Sequence, residues 1–412
     1  MPVNLNLPQA VPVAGVEWAT LSAGIKTNGS TDMVVARLAE GATCSSVFTK
    51  SAFSAAPVSI CRQHMKDNGG AVRVLLINSG NANAGTGEPG IEMALGHCSA
   101  IARAVSVPVS SVLPFSTGVI GQLLPDEVML AGITKACDIL QAGDTTHLEA
   151  WQSAARGIMT TDTQPKLTSQ TVDIAGQTIT VSGMAKGAGM IQPDMATMLS
   201  YIFTDAAVAQ SDLDLALRDA VDVSFNSITV DSDTSTNDSC VLVATGAKAD
   251  VALRADDADW PVFMQALTRV FTDLAQAIIR DAEGASKFIS VHIAGGTSTC
   301  ECKQVAYAIA NSPLVKTAMF ASDANVGRLL MAIGKSGVDG LDASKISVKL
   351  GNVPAFEAGG IAPGYTEALG ASVMARDEID VHVDLGRGDS KATVYTSDLS
   401  HDYVSINADY RS

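Results

Sequence analysis

Apolar and polar positions along the chain alternate between a period of two and a period near 3.6. Residues 12–60 carry short apolar runs, MVVARL at 33–38 and SSVFTK at 45–50, between Gly and Ser turns. Such runs predict short strands of a mixed sheet. Residues 71–90 pass from a buried-strand pattern into a glycine-rich loop, after which Ile91, Leu95, Cys98, Ala102 and Val105 recur at helical spacing. The stretch 146–166 predicts an amphipathic helix that ends in a threonine-rich loop. Residues 168–185 read as two strands joined by a hairpin turn at Ala-Gly-Gln. MLSYIFTDAAV, starting at Met198, predicts a buried strand, and Ser211 is placed to cap a helix of Leu213, Leu217 and Val221. The longest helix is expected from about Pro261 to Ala282, with Val262, Ala266, Val270, Leu274 and Ile278 as its stripe. Pro261 at its first turn and Gly284 just past its end mark the boundaries. Near the end, EIDVHVDL and KATVYTSDL alternate strictly and predict a hairpin closed by Gly-Arg-Gly-Asp. Strands and helices so interspersed place the chain in the α/β class.

Composition narrows the function classes. A chain of 412 residues can build two or more lobes with a substantial core. Hydrophobic residues make up 47%, yet no run approaches the ~20 apolar residues of a membrane span. The opening MPVNLNLPQAVPVAG lacks a basic segment followed by an apolar one, so no signal peptide and a cytoplasmic location are expected. Seven scattered cysteines, including the Cys300–Cys302 pair, and six histidines form no ligand spacing, so free thiols and no metal are expected. A net charge of −16 argues against a nucleic-acid partner. The acidic excess is concentrated after Thr197, where it would steer a cationic substrate or simply keep the surface solvated.

Gly85, Gly87 and Gly90 spell a GxGxxG between a strand and a helix. The ribose-binding acid expected about 20 residues on is missing, because no Asp or Glu lies between Met93 and Pro125. That absence, with Pro89 inside the turn, argues against a dinucleotide site.

The stretch with the most chemistry is KGAGMIQPDMATMLS at 186–200. Its Gly and Pro residues make it a loop. A Thr held in such a loop can attack the carbonyl of its own preceding peptide bond. Opening of Ala196–Thr197 would give Thr197 a free α-amine of pKa about 8 beside its hydroxyl, a nucleophile with its own base. Spacing alone is also met by an ordinary glycine-rich loop. Thr117-Gly118, between a strand-like and a helix-like run, forms a turn able to offer a hydroxyl and an N–H to an oxyanion, or a turn and nothing more. Thr160, Thr161, Asp162 and Thr163 have the character of helix-capping residues. Lys186 could be solvated or could bind a carboxylate or acyl oxygen. Glu283 at the end of the long helix faces an unfavourable dipole unless a cation joins it.

KGAGMIQPDMATML resembles the cleavage segment of the ornithine acetyltransferase (glutamate N-acetyltransferase) family of arginine biosynthesis. The resemblance extends to NSGNANA with Asn78, Asn81 and Asn83, to the STG and TTDT motifs, and to SFNSITVDSDTSTNDS at 224–239. It continues through DAEGASK, NSPLVKTAMFASDANVGR and the final SINADYRS, from about residue 12 onward. Three positions depart within these blocks: Ser232 and Ala321 stand where the family has Gly, and Val326 where it has Trp. Ser412 stands for the usual terminal Thr.

The resemblance implies a layered α/β sandwich similar to N-terminal-nucleophile enzymes, with a smaller C-terminal α/β lobe from about 285–412. It implies self-cleavage into 1–196 and 197–412, which stay together as a heterotetramer of two of each. Thr197 would be the nucleophile, and Thr117 and Gly118 the oxyanion hole. Thr161, Lys186, Thr197, Glu283, Asn407 and Ser412 would bind substrate. The implied reaction moves an acetyl group from N2-acetyl-L-ornithine to L-glutamate by a ping-pong route, with acetyl-CoA as an optional second donor. No cofactor, nucleic acid or membrane is implied. Two other readings stay open: a self-processing aminopeptidase or amidase that deacylates to water, and a non-enzymatic scaffold. The intact STG, KGAGM, MATML and DAEG motifs argue against the scaffold.

Overall fold

A computed structural model describes residues 2–143, 145–192, 198–248 and 253–408. Ala196, Thr197 and Ser412 therefore lie outside the described residues. The chain starts with β1 (Val16–Leu21), β2 (Met33–Leu38), β3 (Thr43–Phe48), α1 (Ala56–Asn68), β4 (Val74–Asn81), α2 (Gly87–Ala104) and β5 (Val112–Val119). It continues through α3 (Asp126–Ala142), α4 (Leu148–Gly157), β6 (Lys166–Ile174), β7 (Gln177–Lys186), β8 (Leu199–Thr204), α5 (Gln210–Val223), β9 (Ile228–Thr229), β10 (Ser239–Ala244) and α6 (Trp260–Arg280). The remainder comprises β11 (Phe288–Gly296), α7 (Thr299–Ala310), α8 (Pro313–Phe320), α9 (Val326–Gly334), β12 (Ser347–Leu350), β13 (Val353–Glu357), β14 (Gly360–Ile361), α10 (Glu367–Met374), β15 (Glu378–Asp384), β16 (Ser390–Ser397) and α11 (His401–Ala408).

Two sheets face each other. One runs β1-β2-β4-β5 and the other β3-β10-β8-β7-β6. Between them lies a dry core in which Val34, Leu75 and Leu113 of the first sheet meet Met184, Tyr201 and Val243 of the second. Trp18, Trp151 and Phe203 pack edge to face there, with centroids 5.3–5.4 Å apart. The outer face of the first sheet packs on α2 and α3, and that of the second on α5 and α6. Alternating apolar residues on both faces of central strands require cover on both sides, so the layers run α-β-β-α. A third sheet, β14-β13-β12-β15-β11-β16-β9, has its own core against α7, α8, α9 and α10 and forms the C-terminal α/β lobe.

Most sequence expectations hold at the level of elements. The β6–β7 hairpin turns at Ala175-Gly176, both with positive φ (50° and 80°), a mirror-type turn suited to strand twist. Four expectations are corrected. EIDVHVDL and KATVYTSDL do not pair with each other. β11 lies between them, parallel to β15 and antiparallel to β16, and Arg387 and Gly388 arch across its end onto Gly295 O. The apolar face of FISVHIAGG needs a strand on each side, and strict alternation says nothing about which strand is the neighbour. Ser211 lies inside the first turn of α5, whose N-cap is Ala209 without a side-chain capping bond, and the Gln210 side chain donates to Cys44 O at 2.8 Å. Thr117-Gly118 is not a turn but the end of β5. α2 begins at Gly87, which has a left-handed φ of 61°, and the third glycine of the GxGxxG lies inside the helix; a Cβ at Gly90 would lie 2.6 Å from Asn83 Oδ1.

Ser232 sits at φ 68°. Its replacement of glycine thus leaves a left-handed turn in place, at a steric cost that Gly would not incur.

Candidate active site

The strand ends of the first two sheets and the loops after them close around a cavity of about 290 Å³. Its walls include Thr117 and Gly118 from β5, Thr160 and Thr161 after α4, Lys186 at the end of β7, Gly189 after it, and Glu283 after α6. Asn407 of α11 and Met198 at the start of β8 complete them. Thr117, Gly118, Thr161, Lys186, Glu283 and Asn407, which the sequence motifs single out, are thus brought together. Thr160 lines the wall as Thr161 does. Thr197 and Ser412 are outside the described residues, although Met198, next to Thr197 in the chain, faces the cavity.

Gly118 has no room for a side chain. It has φ 134°, and a Cβ there would lie 2.5 Å from Asn81 N on the neighbouring β4. The close approach lets β4 and β5 end side by side, with Ser79 opposite Thr117 and Gly80 opposite Gly118. Lys186 Nζ donates to Thr117 Oγ1 at 3.2 Å. A hydroxyl that accepts from an ammonium keeps its own proton for donation elsewhere, which suits it to an oxyanion. Asn237 Nδ2 donates to Ala82 O at 2.6 Å and Ser116 O at 2.9 Å, fastening the approach to β10 onto the ends of β4 and β5. The three asparagines of NSGNANA are buried in this frame. Asn78 Oδ1 accepts from Ser116 Oγ at 2.6 Å, Asn81 Oδ1 from the Asn83 N–H at 2.7 Å, and Asn83 Nδ2 donates to Gly90 O at 3.1 Å. Their work is to shape the loop.

Glu283 does not end α6. It lies three residues past Arg280, is buried, and donates its N–H to Ala188 O at 2.9 Å, so it belongs to the cavity wall. Asn407 Nδ2 donates to Glu283 Oε2 at 2.8 Å. Gly189 packs against the same carboxylate; a Cβ there would lie 2.6 Å from Glu283 Cδ. A described carboxylate and amide therefore sit together at one end of the cavity, while Lys186 and Thr117 sit at its wall.

Electrostatics set the ionisation of this wall. Burial holds the Lys186 ammonium below its ordinary range; Asp162, Asp238 and Glu283 pull it back up, and Lys166 pushes it further down. Asp238 also lines the cavity. Burial drives its carboxyl well above the carboxylate range, and its bonds to Ser235 and the charge of Lys186 only partly offset this. Burial also works to raise Asp162, but Lys166, Lys186 and the Gly187 N–H outweigh it, so its carboxyl lies below the usual range.

The loop leading into the Pro193–Thr197 stretch is clamped on both sides. Asp231 accepts from the Met190 N–H at 2.7 Å and the Ile191 N–H at 2.9 Å, while Ile191 O accepts from the Val230 N–H at 2.7 Å. Gln192 Oε1 accepts from Asn311 Nδ2 at 2.5 Å. Met190 is held at φ 57°, in the left-handed region. On the far side of the stretch, Met198 O accepts from the Ser239 N–H at 2.8 Å. Asp231, Asn237 and Asp238 were not singled out by sequence reasoning, although all three stand in the block SFNSITVDSDTSTNDS, and Asp162 was read only as a helix-capping residue. A run of carboxylates and amides whose partners lie far away in sequence was the available signal. Among the described residues, no group of three or more His, Cys, Asp and Glu could hold a metal ion, and no helix is long and apolar enough to cross a membrane.

The ArgJ family model matches residues 17–412 of this chain. Among solved structures, the chain is similar to the arginine biosynthesis bifunctional protein ArgJ of Bacillus halodurans. The two are 36% identical with a TM-score of 0.49, over 50% of this chain and 97% of that one. It is similar also to the ornithine acetyltransferase of Mycobacterium tuberculosis, solved in complex with ornithine, at 31% identity and a TM-score of 0.39, over 46% of this chain and 96% of that one. An L-aminopeptidase D-Ala-esterase/amidase from Ochrobactrum anthropi matches at 12% identity and a TM-score of 0.39, over 68% of this chain and 90% of that one.

Proposed function

The chain belongs to the ArgJ family, whose members carry out acetyl transfer in arginine biosynthesis, and from that premise we propose that it moves acetyl from N2-acetyl-L-ornithine to L-glutamate through an acetyl-Thr197 intermediate. The observation that carries the reading is the meeting of Lys186 and Thr117 on the wall of a cavity that Thr161, Glu283 and Asn407 also line. Its volume of about 290 Å³ stands at the lower end of small-molecule pockets, roughly 300–1,000 Å³, which suits an acetylated amino acid.

In this reading the precursor first opens its Ala196–Thr197 bond. Thr197 Oγ then attacks the acetyl carbonyl while its proton passes to the new α-amine. The carbonyl oxygen becomes an oxyanion, which Thr117 Oγ–H and the Gly118 backbone stabilise. Collapse breaks the C–N bond, and the α-ammonium returns the proton to the departing ornithine amine. Glutamate's amine attacks the acetyl ester in turn, gives up a proton, and leaves as N-acetylglutamate with Thr197 restored. Glu283 and Asn407 would hold the cationic end of ornithine, with Thr161, Lys186 and Ser412 on the amino-acid backbone. Acetyl-CoA would charge the same threonine as a second donor, and two cleaved pairs would assemble as a heterotetramer.

Intact mass spectrometry with and without N-acetylornithine tests the reading. The expected result is two chains, 1–196 and 197–412, the second gaining one acetyl group that glutamate removes. A single uncut mass with no adduct overturns it. An adduct lost to water equally fast without glutamate would make the protein a hydrolase instead.

A further inference from the structure

One buried carboxylate joins the two loops that line the cavity on either side of Lys186. Asp162 Oδ1 accepts from Lys166 Nζ at 2.6 Å and from the Gly187 N–H at 2.7 Å, and Oδ2 accepts from the Thr160 N–H at 3.1 Å. The Thr160 bond fixes the loop that presents Thr161, and the Gly187 bond fixes the residue just past Lys186. Lys166 is fully buried and bridges onward to Asp281 at 2.7 Å. Asp281 in turn accepts from the Thr163 N–H at 3.0 Å, the Thr163 hydroxyl and the Gln164 N–H at 3.3 Å. Nearly every lone pair of the two carboxylates is thus used. This is the condition under which a buried charge is tolerated.

The cluster is not neutral by itself. Two carboxylates around one ammonium leave a negative charge, and the cations that sense it are Lys186 and Lys26. Lys26 is committed elsewhere, since its Nζ donates to Met159 O at 2.8 Å and Thr31 O at 3.1 Å. We propose that Asp162 is a positioning residue of the acetyl-transfer site: it holds the Thr161 and Lys186 loops in register and supplies the fixed negative charge that keeps Lys186 an ammonium aimed at Thr117. The inference rests on the reading of this cavity as the acetyl-transfer site. Among the charges around Lys186 (Asp162, Lys166, Asp238 and Glu283), Asp162 acts most strongly against the effect of burial.

The Asp162→Asn variant keeps the shape, removes the charge and leaves Lys166 paired with Asp281. The experiment follows Lys186 by ¹⁵N-lysine NMR across pH, assigned with Lys186→Arg, in the wild type, Asp162→Asn and Asp281→Asn. Lys186 in Asp162→Asn should titrate at lower pH than in the wild type. Asp281→Asn, which removes a charge from the same buried cluster at its far end, should move that titration less than Asp162→Asn does. Equal titrations in all three proteins, or equal shifts in both variants, overturn the proposal. This arm needs no acetyl transfer, so it stands apart from a failure of the proposed reaction. In the kinetic arm, kcat/KM of Asp162→Asn should fall on the order of 100-fold, with the alkaline limb of its pH profile moved to lower pH. Should Asp162→Asn not fold, Asp162→Glu keeps the charge on a longer arm. It should retain the Lys186 titration while kcat/KM falls, and unaltered kcat/KM would overturn the positioning role.

Discussion

Lys186 and Thr117, 69 residues apart in sequence, meet at the cavity wall, where Nζ donates to Oγ1 at 3.2 Å. The contact has a direction: the lysine gives, so the threonine proton is free to point at developing negative charge. Thr117→Val keeps the volume and removes the hydroxyl. Its kcat for acetyl transfer should drop about 10²–10³-fold, the usual cost of an oxyanion donor, with little change in KM. Steady-state kinetics in both substrates check this, and a KM effect alone would make Thr117 a binding residue.

Gly189→Ala is the smallest test of the Glu283 end of the cavity. Its Cβ would meet Glu283 Cδ at 2.6 Å, so the carboxylate must turn away and its bond to Asn407 must break. kcat/KM for N-acetylornithine should fall roughly 10- to 100-fold while the melting temperature barely moves. An unchanged kcat/KM would mean that Glu283 does not touch substrate.

Asp231 secures the segment that leads into the Pro193–Thr197 stretch. Asp231→Ala removes the carboxylate that accepts from the Met190 and Ile191 N–H groups, two hydrogen bonds together worth about 3 kcal/mol. Met190, held at φ 57°, would then relax out of the left-handed region. The expected outcome is slower appearance of the two cleaved chains in a mass-spectrometric time course. Cleavage at the wild-type rate would show that the clamp has no part in it.

Lys316 gives a pH signature to stability. It is buried in α8, donates to Thr396 Oγ1 at 2.9 Å and to Ser397 O, and burial lowers its pKa to about 8, against the pull of Asp398 and Asp231. Below pH 8 the folded and unfolded forms are both protonated, and Lys316 adds no slope. Between about 8 and the ordinary lysine value of 10.5 only the unfolded form binds the proton, so its contribution to stability rises with pH. Denaturant titrations should show that Lys316→Met removes this rise; the same slope in both proteins would refute it.

Local patterns carried much of the fold. The stripe of Ala266, Val270, Leu274 and Ile278 located α6 to within two residues at each end, although Val262, expected as its first member, is exposed and Phe263 is buried in its place. The cavity wall was legible where motifs are contiguous, as in STG, TTDT and KGAG. The partner of β16 was not, since which strand lies beside an alternating strand depends on the whole sheet. Nor was the role of Asp162, which by its neighbours reads as a capping residue. Its meaning lies in its buried bonds to Lys166 and Gly187, and burial of a charge is a property of the folded molecule.

The placement of β11 between β15 and β16 sets an order of assembly. Both flanking strands come from the last part of the described chain, so the middle of the third sheet waits, with two open edges, until residues 378–397 have been made. α11 follows directly, and only with it does Asn407 reach Glu283. Pairings this distant in sequence form late. The α-β-β-α layers can settle first, and the pocket gains the wall that Asn407 supplies only after the third sheet has closed around β11.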